Sequence, residues 1–178
     1  MPELPEVETI VRDLKTKVLG RTLVDVWTDF QRILKKPNSF EEFKKQIKGK
    51  KILSVWRRGK NIIFDLSENL SLLIHQKLTG HLLYGTWDIK QGEWIVKEKG
   101  PLRDPVNRFI HLMFWLDNGK MLALSDLRKF AKVELWNKDE LKESEEIKSL
   151  GPEPLERDFT FKKFKEILQP SHGKIKQV

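Results

Sequence analysis

The chain opens Met-Pro-Glu-Leu-Pro-Glu-Val-Glu over residues 1–8, and the first residues of this run combine into a reactive unit. Once Met1 is removed, Pro2 presents a secondary amine at the chain terminus. An α-amino group has an ordinary pKa of roughly 7.7 to 8.0, so at neutral pH an appreciable fraction is unprotonated and nucleophilic, unlike an unperturbed lysine. Such an amine adds to an aldehydic sugar carbon and loses water to form an iminium, which is both a covalent intermediate and an electron sink. Glu3, and Glu6 after it, are carboxylates placed to move the protons. With Met1 retained, the Pro2 nitrogen would be an amide and this route would be closed. Read as local structure, the same residues open a helix, with the acids at its positive end.

Three further segments carry charge or shape suited to nucleic acid. Arg-Arg-Gly-Lys-Asn at 57–61 is a basic turn between two strand candidates. Its Arg57, Arg58 and Lys60 would alternate in direction, and Gly59 would allow the close backbone approach a phosphate needs. The plainer reading is a solvated hairpin tip. Ser-Asp-Leu-Arg-Lys-Phe at 125–130 sets Arg128 and Phe130 about Lys129. A cation beside an exposed aromatic is how proteins replace a flipped-out base and wedge the remaining stack; otherwise Phe130 is core and Arg128 a surface charge. His75, Lys77 and Leu78, before the Thr79-Gly80 turn, form either a DNA-facing loop or an ordinary hairpin.

These groups need a scaffold, and the apolar spacing supplies one. Val7, Ile10, Val11, Leu14 and Val18, with Pro5 early and Gly20 just past the end, predict an amphipathic helix over 5–19. A Ser39 cap followed by Phe40, Phe43 and Ile47 predicts a second helix. Alternation at 22–27 and the short runs KILSVWRR, NIIFDL, LSLLIHQ, RFIHLMFWL, KMLALSD and AKVELW predict strands separated by turns such as Asp117-Asn118-Gly119-Lys120, hence a sandwich or barrel. Residues 91–107, charged and carrying two prolines, read mostly as a mobile surface loop. After Trp136 the chain becomes polar and helix-prone. LGPEPL punctuates it as a linker, and FTFKKFKEIL follows as a basic helix with a Phe stripe. Three segments are expected: 1–136, a β-rich lobe; 137–155, helix and linker; and 156–178, the start of a helical domain that looks cut short.

Composition narrows the partners. Among 178 residues there are 34 Lys plus Arg against 26 Asp plus Glu, a formal charge of +8, at a sequence pI near 9.6. That is the range in which nucleic-acid binding becomes a reasonable expectation, although anionic membrane surfaces also attract such a chain. No apolar run reaches the roughly 18 residues that cross a bilayer, and no signal-peptide layout opens the chain, so an intracellular location is expected. The absence of cysteine excludes disulfides and thiolate-bound zinc within this chain.

Taken together, MPELPEVETI, RRGKN, IHQKLTGHL, SDLRKF and LGPEPL, in this order and spacing, resemble the formamidopyrimidine-DNA glycosylase family, which also includes endonuclease VIII. The resemblance spans essentially the whole chain, and PELPEVE with LGPEPL points to the formamidopyrimidine branch. It implies an α+β fold: a two-layer β-sandwich flanked by an N-terminal helix and a second helix, then the beginning of an all-α helix-two-turn-helix domain. The family's zinc finger is absent, so no cofactor is expected in this chain.

The resemblance further implies a bifunctional glycosylase and abasic-site lyase of base excision repair. Its partner would be double-stranded DNA carrying an oxidised purine, such as 8-oxoguanine or a formamidopyrimidine, or an abasic site. Pro2 would attack C1′, Glu3 would act as general acid/base, and Lys60 would contact DNA near the lesion and assist catalysis. Arg128 would face the orphaned base and Phe130 would wedge the stack. Leu78 stands where the family usually places a methionine in its void-filling triad, a change close in volume. Ala131 replaces a glycine commonly found after the Phe, which would strain the backbone if that position needs positive φ. His75 and Lys77 complete the expected DNA-facing set. A monomer in the bacterial cytoplasm, at the nucleoid, is the corresponding expectation. The rival reading is a non-catalytic fragment or homologue that binds damaged DNA, inactive through truncation or a retained Met1.

Overall fold

The computed structural model describes residues 2–169. Helix α1 (Leu4–Val18) starts at the Glu3 cap and buries Val7, Val11, Leu14 and Val18 along one face. Strand β1 (Leu23–Thr28) follows, then the short β2 (Leu34–Lys36). Helix α2 (Phe40–Ile47) is capped by the Ser39 hydroxyl, which accepts from the Glu42 N–H at 3.3 Å. The strands β3 (Ile52–Arg58), β4 (Asn61–Leu66), β5 (Leu70–His75), β6 (His81–Gly85), β7 (Trp87–Lys90), β8 (Glu93–Val96), β9 (Ile110–Leu116), β10 (Met121–Ser125) and β11 (Lys132–Asn137) complete the lobe. The short helices α3 (Lys138–Glu143) and α4 (Glu145–Lys148) precede the LGPEPL linker, and α5 (Phe161–Leu168) comes after it.

Two sheets face each other. One has the order β1-β9-β10-β6 and is antiparallel throughout; the other runs β2-β11-β5-β4-β3, with only β2 and β11 parallel. Between them lies the main core, including Ile62, Phe64, Leu72, Ile74, Leu112, Phe114 and Leu124, sealed by the apolar faces of α1 and α2. This is the expected α+β sandwich, and the period-two alternation of the strands is what sends these residues inward.

Both outer faces are covered as well. On the five-stranded sheet, Ile63 and Leu73 point away from the main core and are buried under Leu141 of α3, with Trp56, Trp136 and Ile147 around them. Hence every residue of β4 is buried. On the four-stranded sheet, Met113 and Ala123 pack with Trp87, Trp27, Trp94 and Trp115 beneath the β7–β8 hairpin. Trp94 meets Trp27 edge-on at 5.1 Å and Trp115 at 5.9 Å between ring centroids.

The hairpin corrects one expectation. Residues 91–107 are not mostly loop: Glu93–Val96 is a strand paired with Trp87–Lys90, and the remainder holds two 3-10 turns, Pro101–Arg103 and Pro105–Arg108. Buried Asn107 ties the turns together, donating to the Pro101 and Leu102 carbonyls at 3.0 and 3.2 Å and pairing with His81 Nε2 at 2.8 Å. The exposed charges of this segment obscure its inward residues, Trp94 and Val96, because only two of the four strand positions face inward.

The segment 137–155 packs back onto the lobe through α3. Residues 170–178, the end of the expected helical start, lie outside the described residues, as does Met1.

Candidate functional site

Strand register gathers the candidate residues at one end of the sandwich. In the five-stranded sheet Asn61 pairs with His75 and His75 with Lys132. In the other sheet Ser125 pairs with His81. The β3–β4 turn with Lys60, the β5–β6 loop with His75, Lys77 and Leu78, and the β10–β11 loop with Arg128 and Phe130 therefore all emerge at the same edge.

Pro2 and Glu3 reach that edge from the start of α1. Glu3 caps the helix in a reciprocal box with Glu6, whose carboxylate accepts from the Glu3 N–H at 2.6 Å. The helix-start reading is thus correct for this segment. It coexists with the chemical one, because the Glu3 carboxylate also accepts from the Lys60 ammonium at 2.8 Å. Pro2 is half-buried beside this pair in the chain.

Lys60 owes its place to the turn before it. Gly59 has φ of +54°, a left-handed conformation that favours glycine, and a Cβ there would lie 3.3 Å from a methyl carbon of Leu150. Arg57 and Arg58 do not serve as free phosphate contacts. The Arg57 side chain is only 5% exposed and is held between Glu8 of α1, at 2.7 Å, and Glu153 of the linker. Arg58 reaches Glu153 at 3.2 Å and the Leu150 carbonyl at 2.8 Å. A buried guanidinium without carboxylates would be strongly unfavourable, which is why Glu8 and Glu153 accompany the inward-turned arginines.

The two remaining loops are joined by Asp126. This fully buried carboxylate accepts from the Ala131 N–H at 2.7 Å, the Arg128 N–H at 3.3 Å and the Thr79 hydroxyl of the neighbouring loop. The Thr79 oxygen in turn accepts from the Arg128 N–H at 3.1 Å. Gly80 is needed at the crossing, since a Cβ there would sit 2.4 Å from the Gln76 carbonyl oxygen. The left-handed residue of the second loop is Lys129, at φ +57°, and Ala131 is not among the positive-φ residues. The methyl of Ala131 is buried near Gly80, so the alanine carries no backbone strain.

So anchored, the loops leave large apolar side chains in solvent. Phe130 is 51% exposed and Leu78 38%, while the guanidinium of Arg128 lies 4.6 Å over the Phe130 ring. Neither Phe130 nor Leu78 belongs to the core, and exposure of this kind is what a wedge into a base stack requires. His75 is half-buried and its Nδ1 accepts from the Lys77 N–H at 3.0 Å. Burial, reinforced by the cations of Lys77, Lys132 and Lys60, lowers its pKa to about 4. The imidazole is therefore neutral at physiological pH and offers hydrogen-bonding atoms rather than a positive charge.

Sequence reasoning missed Glu8, Glu153, Asp126 and Thr79 as supports of the site. Two adjacent arginines with no acid near them in sequence are the one local sign that a distant carboxylate is needed. Among the described residues, no cluster of three or more His, Asp or Glu is arranged to hold a metal ion, and no helix is long and apolar enough to cross a membrane.

The chain has relatives among known proteins. Residues 1–133 match the family model described as the formamidopyrimidine-DNA glycosylase N-terminal domain. The chain is 38% identical over 176 residues to a formamidopyrimidine-DNA glycosylase of Pelotomaculum thermopropionicum, covering 99% of this chain and 58% of that protein. It is 33% identical over 178 residues to the Bacillus cereus protein of the same name, covering 59% of it. The chain thus spans somewhat under two thirds of the length of these relatives. Among solved structures, it resembles a Lactococcus lactis formamidopyrimidine-DNA glycosylase bound non-covalently to DNA containing an abasic site, with a TM-score of 0.79 at 32% identity over 99% of this chain and 61% of that one. A complex of the Lactococcus protein with DNA containing a formamidopyrimidine lesion gives a TM-score of 0.79 at 32% identity, over 98% of this chain and 59% of that one.

Proposed function

Because the chain belongs to the formamidopyrimidine-DNA glycosylase family, whose N-terminal domain it matches over residues 1–133, we propose that it acts on damaged double-stranded DNA as a base-excision glycosylase and abasic-site lyase. Its substrates on this reading are oxidised purines, 8-oxoguanine and formamidopyrimidines among them, and abasic sites. The observation that carries the reading is the pairing of Glu3 with Lys60 at 2.8 Å next to Pro2, at the edge where the exposed Phe130 and Leu78 also emerge.

With Met1 removed, the Pro2 nitrogen bonds to C1′ as the bond from C1′ to the base breaks, and the N–H proton that the amine sheds leaves with the base. Glu3, as the acid, protonates the sugar ring oxygen so that the ring opens and the nitrogen becomes an iminium. The iminium acidifies C2′. Loss of a C2′ proton expels the 3′-phosphate, and a second elimination expels the 5′-phosphate. Lys60 holds the Glu3 carboxylate and contributes positive charge beside the phosphates that leave. Arg128 faces the orphaned base while Phe130 and Leu78 fill the gap left by the extruded nucleotide. Lys77 and neutral His75 contact the strand nearby. This chemistry draws on no metal or organic cofactor. The protein works as a monomer in the bacterial cytoplasm, at the nucleoid.

The test is borohydride trapping on an abasic-site duplex, with protein whose mass shows that it starts at Pro2. A covalent adduct mapped to Pro2 is expected. No adduct from protein with a free proline overturns the reading.

A further inference from the structure

Glu153, in the LGPEPL segment, makes more contacts with the Lys60 turn than a linker residue needs. Its carboxylate accepts from the Gly59 N–H at 2.7 Å, from Arg58 at 3.2 Å and from Arg57. Leu150, three residues earlier, accepts from Arg58 through its carbonyl at 2.8 Å and rests its side chain where Gly59 has none. On the far side, Arg57 is bound by Glu8 at 2.7 Å. The bridge Glu8–Arg57–Glu153 thus joins α1, the β3–β4 turn and the chain leaving the lobe. Its charged groups are largely withdrawn from water, with Arg57 5% and Glu153 13% exposed.

Three cations, Arg57, Arg58 and Lys60, crowd one turn. Left to themselves they would repel one another. Glu153 neutralises the first two and, through the Gly59 N–H, holds the backbone one residue before Lys60. Lys60 is then the cation of this run that is paired with Glu3. Burial works against the Glu153 anion, but the Gly59 N–H and the two guanidiniums outweigh it and hold its carboxyl below the usual value.

We propose that Glu153 is a positioning residue for the reaction: through Gly59 and Arg57 it sets the Lys60 ammonium against Glu3, so that docking of the segment leaving the lobe assembles the catalytic end of α1. The role assigned to Lys60 rests on the proposed function above; the coupling of Glu153 to Lys60 does not. Substitution by glutamine keeps the shape and an acceptor oxygen but loses the charge, leaving Glu8 as the carboxylate that pairs with Arg57.

The experiment uses the 178-residue chain with ¹³Cε-labelled lysine. Glu153→Gln is expected to move the Lys60 Cε resonance, a readout that requires no turnover. The same variant should form the borohydride-trapped adduct about 10-fold or more slowly, since small misplacement of reacting groups costs rates of that order. Its affinity for the abasic duplex should stay within about twofold, which marks loss of positioning rather than of binding. Glu153→Asp, with charge kept on a shorter arm, should recover part of both effects, and it carries the resonance comparison if the glutamine variant does not fold. Combined with Lys60→Ala, Glu153→Gln should cost nothing further. An unmoved Lys60 resonance, or losses that multiply in the double variant, overturns the proposal. If the parent chain itself forms no adduct, the proposed function fails and the resonance comparison alone decides whether Glu153 sets Lys60.

Discussion

The Lys60 ammonium lies 2.8 Å from the Glu3 carboxylate across 57 positions of sequence. This contact joins the N-terminal cap of α1 to a hairpin turn and places a cation on the residue that follows Pro2. Glu3→Gln removes the acid while keeping its size. Excision of 8-oxoguanine should fall by roughly 100-fold or more, within the range ascribed to a positioned acid or base, whereas cleavage of a pre-formed abasic site should fall far less. Gel assays on the two duplexes measure this difference. Excision at the parent rate would remove Glu3 from the mechanism.

Pro2→Ala tests the nucleophile itself. The variant keeps a terminal amine after methionine removal, but a primary one. Strand cleavage at an abasic site should slow, with some adduct still trapped by borohydride, and mass mapping should find it on residue 2. Lyase activity equal to that of the parent would mean the secondary amine is not what the chemistry needs.

Arg128 lies over the Phe130 ring at 4.6 Å, and only its backbone N–H engages Asp126 and Thr79. Arg128→Ala should therefore leave the loop and the trapped adduct intact while weakening discrimination between bases opposite the lesion. A good bidentate arginine contact is worth about 1–3 kcal/mol of discrimination. Excision measured against each of the four opposite bases reads the loss directly; an unchanged preference would count against the orphan-base role.

Asp126 behaves differently, because its carboxylate is fully buried and satisfies donors on two loops. Asp126→Ala strands the Ala131 N–H and takes away the acceptor of the Thr79 hydroxyl, and should cost about 2–3 kcal/mol of stability. Thr79→Val, which removes one hydroxyl, should cost about 1 kcal/mol. Urea unfolding of both variants gives the comparison, and equal costs would argue that the buried carboxylate is not the hub.

His75 confers a pH dependence of known sign. Its pKa is lowered from 6.5 to about 4, first by burial and then by Lys77 and Lys132. The unfolded chain binds its proton more readily, so this residue's contribution to stability is fully present above pH 6.5 and is lost as the pH falls towards 4. His75→Gln should flatten the stability profile in that window. Denaturation midpoints taken at intervals across it provide the check; parallel profiles for parent and variant would show that His75 is not the group responsible.

Much of the scaffold was legible beforehand. The α1 face of Val7, Val11, Leu14 and Val18 and the Ser39 cap were each set by residues within a turn or two. The strands β3, β4, β5, β9, β10 and β11 declared themselves by short apolar runs. The β7–β8 hairpin did not, since its few inward residues are interleaved with Asp88, Glu93 and Lys97. What makes it a strand pair is the cluster of Trp27, Trp94 and Trp115, drawn from three separated segments.

The sequence by itself determined which reactive groups the chain carries: a proline that becomes a terminal amine once Met1 is removed, an adjacent carboxylate, a lysine after a glycine turn, and an arginine and a phenylalanine about a lysine. Tertiary structure decided which of the charges are free to act. Arg57 and Arg58 looked as available as Lys60, yet they are consumed by Glu8 and by Glu153, the latter 96 positions from Arg57. The reason is one of range. Periodicity, caps and turns act over a few residues and can be read locally, whereas the pairing of buried charges depends on strand register and on where a linker docks, which no local pattern encodes.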